Sequence, residues 1–538
     1  MRVLGLALGD AGAAAALVED GIVVAAATEE RFSRQRLDPN YPAQAVEFVL
    51  GGRSPDVVAA SGEPTERFTR VLTASLASPF PAGAGAFVRN MKAWIGHHLW
   101  TRDSVSRRLD VDPDRITFVP RDRALAKHAL AAAGWEQGTV VVADTAGDWA
   151  CTSTLAMTPA GLRVVESVAY PHSLGLFAAT IAGLLGFALD DLERLPALAG
   201  FGRPVYATRM RRMLVVATDP GKPAYTLDPA MFDFARLAEW PRSSPWTGGL
   251  TDQLGAPRDA RRPLPFPGPV EAEDQRYADI AASFVVVVEE ALTEVFKRAA
   301  TAGAPSAGLC FTGPVAACAP GAARMAVAAG FGEVFIPDEP GPAGGAVGAA
   351  LIVGATPDRA DSRMAGPFLG QAYDERADVL ALMQMDTTWW QRWRKPGSRP
   401  IRGARLEFCD APSPAMVAEE LVAGRVVGWC RGAFEWGPHA RGHRSLLAGP
   451  ESAPALLAVR GQPAWCPVEL VTQSADPALN DVIAAHAVIT GIVGLAHADL
   501  CEDDAPLVAS PADAVLLFMR TDVDTLILGN TLCRKLYP

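Results

Sequence analysis

Histidine is scarce in this chain of 538 residues: there are eight, and none precedes His97. Any chemistry in the first ninety-six positions therefore proceeds without imidazole. Cysteine is equally sparing. Eight residues, Cys151, Cys310, Cys318, Cys409, Cys430, Cys466, Cys501 and Cys533, lie far apart and form no C-x-x-C pair. That excludes a disulfide framework and a zinc ribbon as readings and leaves reduced thiols in the cytoplasm as the expectation. Positive charge is not in excess, with 49 Lys and Arg against 60 Asp and Glu and a net charge of −11. Nucleic acid and an anionic membrane are thereby excluded as main partners, whereas a small substrate needs only a local basic pocket. Long apolar runs are also missing. The longest apolar runs, such as "SFVVVVEEALTEVF", are broken by charge short of the ~18 residues a membrane span requires. Residues 1–17 are apolar, but they contain Asp10 and run into a hairpin pattern, which reads as a strand and not as a signal segment.

What is present is a soluble composition, 49% hydrophobic and 20% charged, long enough for about two to four domains. "MRVLGLALGD" and "AAAALVEDGIVVAAATEE" read as two or three strands, with Asp20-Gly21 as the hairpin turn. "GTVVVAD" is a strand ending at Asp144, followed by the small-residue turn "TAGDW". "AGLCFTG" is another, ending at Gly313, and "PGPAGGAVGAAL" opens a helix on glycines. This recurrence predicts an α/β domain of two related halves, whose strand exits and helix starts can turn backbone N–H groups toward phosphate. Ordinary tight turns have the same composition. Between 355 and 400 the sequence mixes proline, charge and tryptophan, and the boundary is placed there: 1–355, a linker over 356–400, and 401–538. The aromatic and basic "WWQRWRKPGSR" in that linker reads as a packing segment and not as a nucleic-acid surface. Near the end, Ser510-Pro511 predicts a capped helix and "VDTLILG" a buried strand.

Many blocks, in order, resemble the ATP-dependent O-carbamoyltransferases of antibiotic biosynthesis and nodulation-factor modification. They include "VLGLALGD", "GIVVAAATEERFSRQRLDPNYP", "DTAGDWACTS", "YPHSLGLFAATIAGLLGF", "PAGGAVGAALIVGA", "PFLGQAY", "GRVVGWCRGAFEWGPHARGHRSLLAGP" and "PLVASPADAVLLFMRTDVDTLILGNTLCRK". The resemblance implies an α/β chain: an actin-like ATPase (ASKHA-type) N-terminal domain followed by a smaller YrdC-like α/β domain. In that family the C-terminal domain makes carbamoyl adenylate from carbamoyl phosphate and ATP. The N-terminal domain, aided by iron or a similar metal, moves the carbamoyl group to a hydroxyl.

The polar positions depart from the family. Its H-H-x-x-H falls on Arg121, Asp122 and Leu125. A guanidinium has no lone pair to offer and leucine has no heteroatom, so the iron site is expected to be lost. His128, one turn further on, is either a substitute ligand or a surface or capping histidine. The adjacent His97 and His98 point too far apart on a helix to chelate one ion. Pro342 stands where the family has a metal-binding aspartate, and Asp10 is the nearest equivalent of an early histidine. Leu195 replaces a lysine, Pro314 removes an N–H, and Cys318 replaces an amide side chain. In "GPHARGHRS" Arg444 keeps its place and an arginine has moved to 441. "CEDDAP", with Glu502, Asp503 and Asp504, replaces a polar, arginine-bearing loop.

The resemblance and the surviving residues together nominate His172, Asp144 and Asp10 for catalysis. Arg121, Thr145, Gly147, Asp148, Gly313, Gly344, Gly345, Arg441, His443 and Arg444 are nominated for substrate or nucleotide binding, with no metal ligand. Glu29, Glu30 and Arg31 also survive. His172 reads equally as a base and as a structural turn residue. ATP and Mg²⁺ are the cofactor candidates. The partner is a small molecule, with a homodimer or pairing with another biosynthetic protein left open. The functional readings are a carbamoyltransferase-like enzyme with a substituted site, a redirected transfer or condensation on the same scaffold, and a degenerate binding or partner subunit.

Overall fold

The structure is a computed structural model. It describes residues 1–9, 12–77, 87–88, 91–92, 94, 101–188, 191–233, 246–268, 270–303, 308–355, 364, 366–374, 376, 405–462, 468–502 and 505–536. The nominated Asp10, together with His97, His98, Asp503, Asp504 and the tryptophan-rich segment, lies outside the described residues.

The chain divides into two compact units, Met1–Val24 with Pro39–Met364, and Ala25–Asp38 with Ala365–Pro538. The first holds two five-stranded sheets. One is built from β1 (Arg2–Ala7), β2 (Ala14–Glu19), β3 (Ile22–Thr28), β4 (Val57–Ser61) and β5 (Ile116–Val119), in the order β3-β2-β1-β4-β5. The other contains β6 (Gly138–Ala143), β7 (Ala150–Thr158) and β8 (Gly161–Ala169). After the small hairpin of β9 (Leu214–Val216) and β10 (Tyr225–Leu227), it is completed by β11 (Gly308–Thr312) and β12 (Glu333–Phe335), in the order β12-β11-β6-β7-β8.

Counting from the first strand of each half, these are the same topology. An antiparallel meander of three lies on one side of β1 or β6, and two parallel strands lie on the other. The expected actin-like, duplicated α/β architecture is present. Its first turn is local chemistry. Asp20 and Gly21 both take positive φ, 50° and 84°, as a two-residue hairpin of the primed type requires.

Helix Gly344–Val353 packs on β1, β2, β4 and helix Arg121–Ala133. A Cβ at Gly345 would strike Ser61, one at Gly348 would strike the Ala124 carbonyl, and one at Gly344 would come within 2.6 Å of His128 Nδ1. The glycines of "PAGGAVGAAL" therefore let two helices and a strand touch backbone to backbone. Among the described residues, no helix is long and apolar enough to cross a membrane.

The second unit is a mixed seven-stranded sheet of β13 (Arg405–Asp410), β14 (Val427–Cys430), β15 (Arg444–Ala448), β16 (Glu469–Val471), β17 (Leu495–Asp499), β18 (Thr525–Leu528) and β19 (Thr531–Leu536). The spatial order is β13-β19-β18-β14-β15-β17-β16. Helix Pro511–Arg520 starts as its sequence indicates. Ser510 caps it, and Asp513 returns the bond to the Ser510 N–H, completing a capping box. The same helix ends on Lys535, whose amine donates to the carbonyls of Phe518, Thr521 and Val523 and satisfies what a helix terminus leaves unpaired.

The boundary at 355 and the linker over 356–400 need one correction. Segment Ala25–Asp38 belongs with the second unit, not the first. Arg31 is buried on the Gly437 carbonyl, and Arg34 donates to the carbonyls of Pro506 and Leu507, at 2.7 and 2.8 Å.

Candidate functional site

In the first unit the strand exit at 144–148 forms the centre of a polar cluster. β6 ends at Ala143, and the chain turns through Thr145, Ala146 and Gly147 into β7. Gly147 has φ +60°, and a Cβ there would overlap the Ala150 carbonyl, so the turn requires glycine. Asp144 Oδ1 accepts from the Thr145 N–H at 2.6 Å, and Oδ2 lies 2.8 Å from Arg121 Nε in a buried ion pair.

Asp148, also buried, accepts from three donors: the N–H of Glu63 at 2.9 Å, the N–H of Arg121 at 2.8 Å and Arg67 Nε at 2.7 Å. The Arg121 N–H belongs to the first residue of helix Arg121–Ala133, where a carboxylate is favoured by the orphan N–H groups and the helix dipole. Arg70 holds the Gly147 carbonyl from outside. Ser173 caps helix Leu174–Leu184 and also donates to the carbonyls of Asp144 and Thr145, fixing the turn from below.

A pocket of about 290 Å³, counting space open to solvent, lies over this turn. It is lined by Glu66, Asp122, Asp144, Asp148, Trp149 and Ser153, among others. Asp122 accepts from Ser153 Oγ at 2.8 Å, and burial pushes its carboxyl above the ordinary value. Glu66 is pushed up as well, by burial first and then by the charges of Asp148 and Asp122. The pocket thus presents two carboxyls with enhanced basicity beside two that are locked by arginine. The sequence offers no signal for Glu66, which reaches the pocket only through the fold.

An iron ion does not fit the groups found here. Arg121 is paired with Asp144, Leu125 is fully buried in the apolar core, and His128 is fully buried against Gly344. Burial lowers the His128 pKa to about 4, which keeps the ring neutral. Among the described residues, no three His, Cys, Asp or Glu side chains come together as a metal site.

The remaining nominated residues are placed as follows. His172 is half-buried, and its Nδ1 accepts from the Leu227 N–H at 3.1 Å, which engages the lone pair and leaves Nε2 as the protonated nitrogen. Burial lowers its pKa. The Gly313 N–H donates to the Pro340 carbonyl at 2.8 Å, while those of Gly344 and Gly345 donate to Gly341 and Pro342. These N–H groups are engaged inside the fold, so the expectation that they face phosphate is corrected.

Arg444 is corrected too. Its five N–H donors go to the carbonyls of Ala509, twice, and of Arg431, His443 and Gly432, at 2.6–3.1 Å. It is the buried hub of the loop 431–443. Glu435 Oε1 completes that hub by accepting the N–H groups of Arg441, His443 and Arg444 at 3.0, 2.8 and 2.9 Å. His443 stacks on Phe368 with ring centroids 3.5 Å apart and donates Nδ1–H to the Ala433 carbonyl, which directs a lone pair onto Nε2. The Arg441 side chain is exposed.

Comparison with known proteins agrees with this architecture. Residues 2–351 match the family described as carbamoyltransferase N-terminus, and residues 418–468 match carbamoyltransferase C-terminus. The chain belongs to the carbamoyltransferase family. It is 28% identical over 476 residues to the uncharacterized protein sll1178 of Synechocystis sp., covering 84% of this chain and 71% of that protein. It is 24% identical over 602 residues to the nodulation protein NolNO of Sinorhizobium fredii, covering 97% and 78%. Among solved structures, the activator of the 2-hydroxyisocaproyl-CoA dehydratase from Clostridium difficile is similar at 15% identity and a TM-score of 0.34, covering 66% of this chain and 94% of that one.

Proposed function

We propose that this family member is a cytoplasmic carbamoyl-transfer enzyme of natural-product biosynthesis whose transfer step runs without iron. The observation that carries the reading is the buried Arg121–Asp144 pair, 2.8 Å apart, beside a pocket lined by Asp122 and Glu66. In this reading the Arg121 guanidinium, beside the pocket and not in its lining, supplies the positive charge that offsets the negative charge developing on a carbamoyl oxygen during transfer, a task the family gives to a metal. Asp122 and Glu66, each raised above the usual carboxyl range, are placed to take the proton of an acceptor hydroxyl. His172 serves as an Nε2–H donor to substrate and not as the base, because its lone pair is engaged by Leu227.

The test is carbamoyl transfer from radiolabelled carbamoyl phosphate, with ATP and Mg²⁺, to a panel of polyhydroxylated acceptors. The enzyme is first stripped of transition metals by a chelator that is then removed. Product formation that survives stripping and falls at least about a hundredfold in Arg121→Met supports the reading, since about 2.7 kcal/mol or more is typical of one electrostatic stabiliser. Product that disappears on stripping and returns with added iron refutes it.

A second reading, a binding or partner subunit without turnover, draws support from Arg444. With all five donors on backbone carbonyls, the one arginine of the family loop that keeps its place has none left for a polyphosphate. Absence of product from every acceptor, together with recovery of a second carbamoyltransferase in affinity purification from the native host, would favour it.

A further inference from the structure

Helix Pro477–Thr490, on the surface of the second unit, presents an outer face almost free of charge. Leu479, Val482, Ile483 and His486 form its buried side, and Asp481 is its one charged residue. A surface helix ordinarily carries charge on the side away from the core. Here the outward positions include Ala484, Val488 and Ile489, and the chain continues through Ile492 and Val493 to β17. Val488 is 86% exposed, Val493 63%, Ile489 48% and Ile492 42%. No lysine or arginine occurs between Arg460 and Arg520, so this segment offers no cation to an anionic membrane.

The same part of the unit holds an open sheet edge. β16 ends the order β15-β17-β16, and its outer side is unpaired among the described residues. Its central residue, Leu470, is 57% exposed and lies against Gly494, where a Cβ would come within 3.1 Å of Leu470 Cγ. That contact joins the edge strand to the exposed turn at 492–493. Native edges are commonly guarded by lysine or proline, and β16, Glu469-Leu470-Val471, has neither. Its one charge has a partner inside the sheet, since Glu469 lies 3.6 Å from His497 on β17.

Edge strand and aliphatic turn together expose on the order of 500 Å² of apolar side chain, at the upper end of what a monomer leaves open in one place. A standard-size interface buries about 800 Å² per partner, and about 65% of it is apolar when the partners are identical. The exposed area fits that share. We propose that β16 and the aliphatic segment 488–493 form a homodimer interface, in which the seven-stranded sheets of two copies join across a two-fold axis.

An axis through Leu470 pairs β16 with itself in the antiparallel sense. Leu470 then faces Leu470, each Glu469 faces Val471 of the other copy, and no like charges oppose each other across the strands. Helix Pro477–Thr490 packs over β15 and β17, so the axis sets both copies of it on the same face of the joined sheet. The interface does not depend on the carbamoyl-transfer reading.

Sedimentation velocity of the full chain at about 50 μM, above the weakest dissociation constants of standard-size interfaces, should give a species of twice the 56.7 kDa chain mass. Val488→Glu buries an unpaired charge only on association, and Leu470→Glu sets two carboxylates opposite each other. Each should raise the dimer dissociation constant at least about a hundredfold. Val205→Glu, at an exposed valine of the first unit, should leave the dimer as it is. Leu470→Cys gives a positive readout. Directly opposed residues of antiparallel strands have Cα atoms about 4.5–5.5 Å apart, within disulfide reach, so mild oxidation should link this variant into a covalent dimer while wild type stays unlinked.

A wild-type monomer at that concentration would overturn the proposal and leave the surface to a different protein. A dimer unchanged in folded Val488→Glu and Leu470→Glu would overturn it as well, because association would then use another face. Should a glutamate variant fail to fold by circular dichroism, the Leu470→Cys arm decides: a covalent dimer supports the interface, and a dimer that oxidation does not link overturns it.

Discussion

Arg121 and Asp144, twenty-three positions apart, form a buried ion pair 2.8 Å long. The pair couples the start of a helix to the exit of the central strand.

Breaking one side of this pair is expected to destabilise the first unit more than losing both. Arg121→Met leaves Asp144 as an uncompensated buried carboxylate, a change of about 3–5 kcal/mol. Adding Asp144→Asn, which keeps the bond from the Thr145 N–H, should restore most of that. Differential scanning calorimetry of the two single variants and the double variant measures the coupling directly. A loss below about 1 kcal/mol in Arg121→Met would mean the pair is solvated.

The buried His128 sets a limb of the acid unfolding curve. Its folded pKa of about 4 lies below the ordinary histidine value, so between about 6.5 and 4 the unfolded chain takes up a proton that the folded chain refuses. Stability therefore falls as pH drops through that window and levels off below it, by on the order of 3 kcal/mol in total. In His128→Gln this limb should flatten. Denaturant titrations at pH 7 and pH 4 are sufficient to see it.

Asp122 acts in the opposite sense. Its folded pKa is raised by burial, so the folded state holds the proton longer, and ionisation lowers stability as pH rises from the ordinary carboxyl range through its own higher pKa. Asp122→Asn, still able to accept from Ser153 Oγ, should melt higher than wild type at pH 7, with the gap closing near pH 4. If Asp122 is also the base for transfer, the same variant loses activity at every pH. A melting gap that does not change with pH would show that Asp122 titrates normally.

The duplicated fold was legible because its markers are local. Asp20-Gly21 fixes a hairpin, Ser510 with Asp513 fixes a helix start, and small residues mark the strand exits at 144 and 313. Asp144, Arg121, Thr145, Gly147 and Asp148 were nominated from one turn and one motif position, and the structure brings them together. What was not legible depends on pairing across the chain. Arg31 reaches a carbonyl 406 positions away, and Glu66 joins the pocket from a helix with no motif of its own. The glycines at 313, 344 and 345 have the composition of a phosphate loop, but their N–H groups are engaged and their missing side chains serve close packing. Composition cannot distinguish these two uses of glycine. Arg444 misled for a similar reason: an arginine in a glycine-rich loop looks available until its five acceptors are counted.

Arg444 gives the next expectation. As the hub of loop 431–443 it should be replaceable by no other cation, because lysine offers at most three donors to acceptors arranged for five. Arg444→Lys is expected to lower the stability of the second unit by on the order of 3 kcal/mol, two or more buried carbonyls being left unmatched. A phosphate-binding arginine would behave differently, losing ligand affinity with an unchanged melting curve. Thermal unfolding followed by intrinsic tryptophan fluorescence separates the two, since Trp429 and Trp436 are buried in this unit.

The last expectation concerns the first half-reaction of the family. Formation of carbamoyl adenylate brings together two polyanions, carbamoyl phosphate and ATP, and needs arginine, lysine or Mg²⁺ to offset their repulsion. In the second unit Arg444 is committed to carbonyls, Arg425 forms an ion pair with Glu420 at 2.5 Å, and Arg460 lies 3.6 Å from Asp499. Glu502 lies 3.6 Å from Arg520, so that arginine already has an internal partner. Like charges a few ångströms apart in a partly desolvated cleft raise a barrier by on the order of several kcal/mol, enough to remove most turnover. Incubation with carbamoyl phosphate, ATP and Mg²⁺ should therefore release pyrophosphate at background rate. Release on the order of one per second would show that exposed Arg441 or the bound Mg²⁺ supplies the missing charge, and that the adenylate route operates.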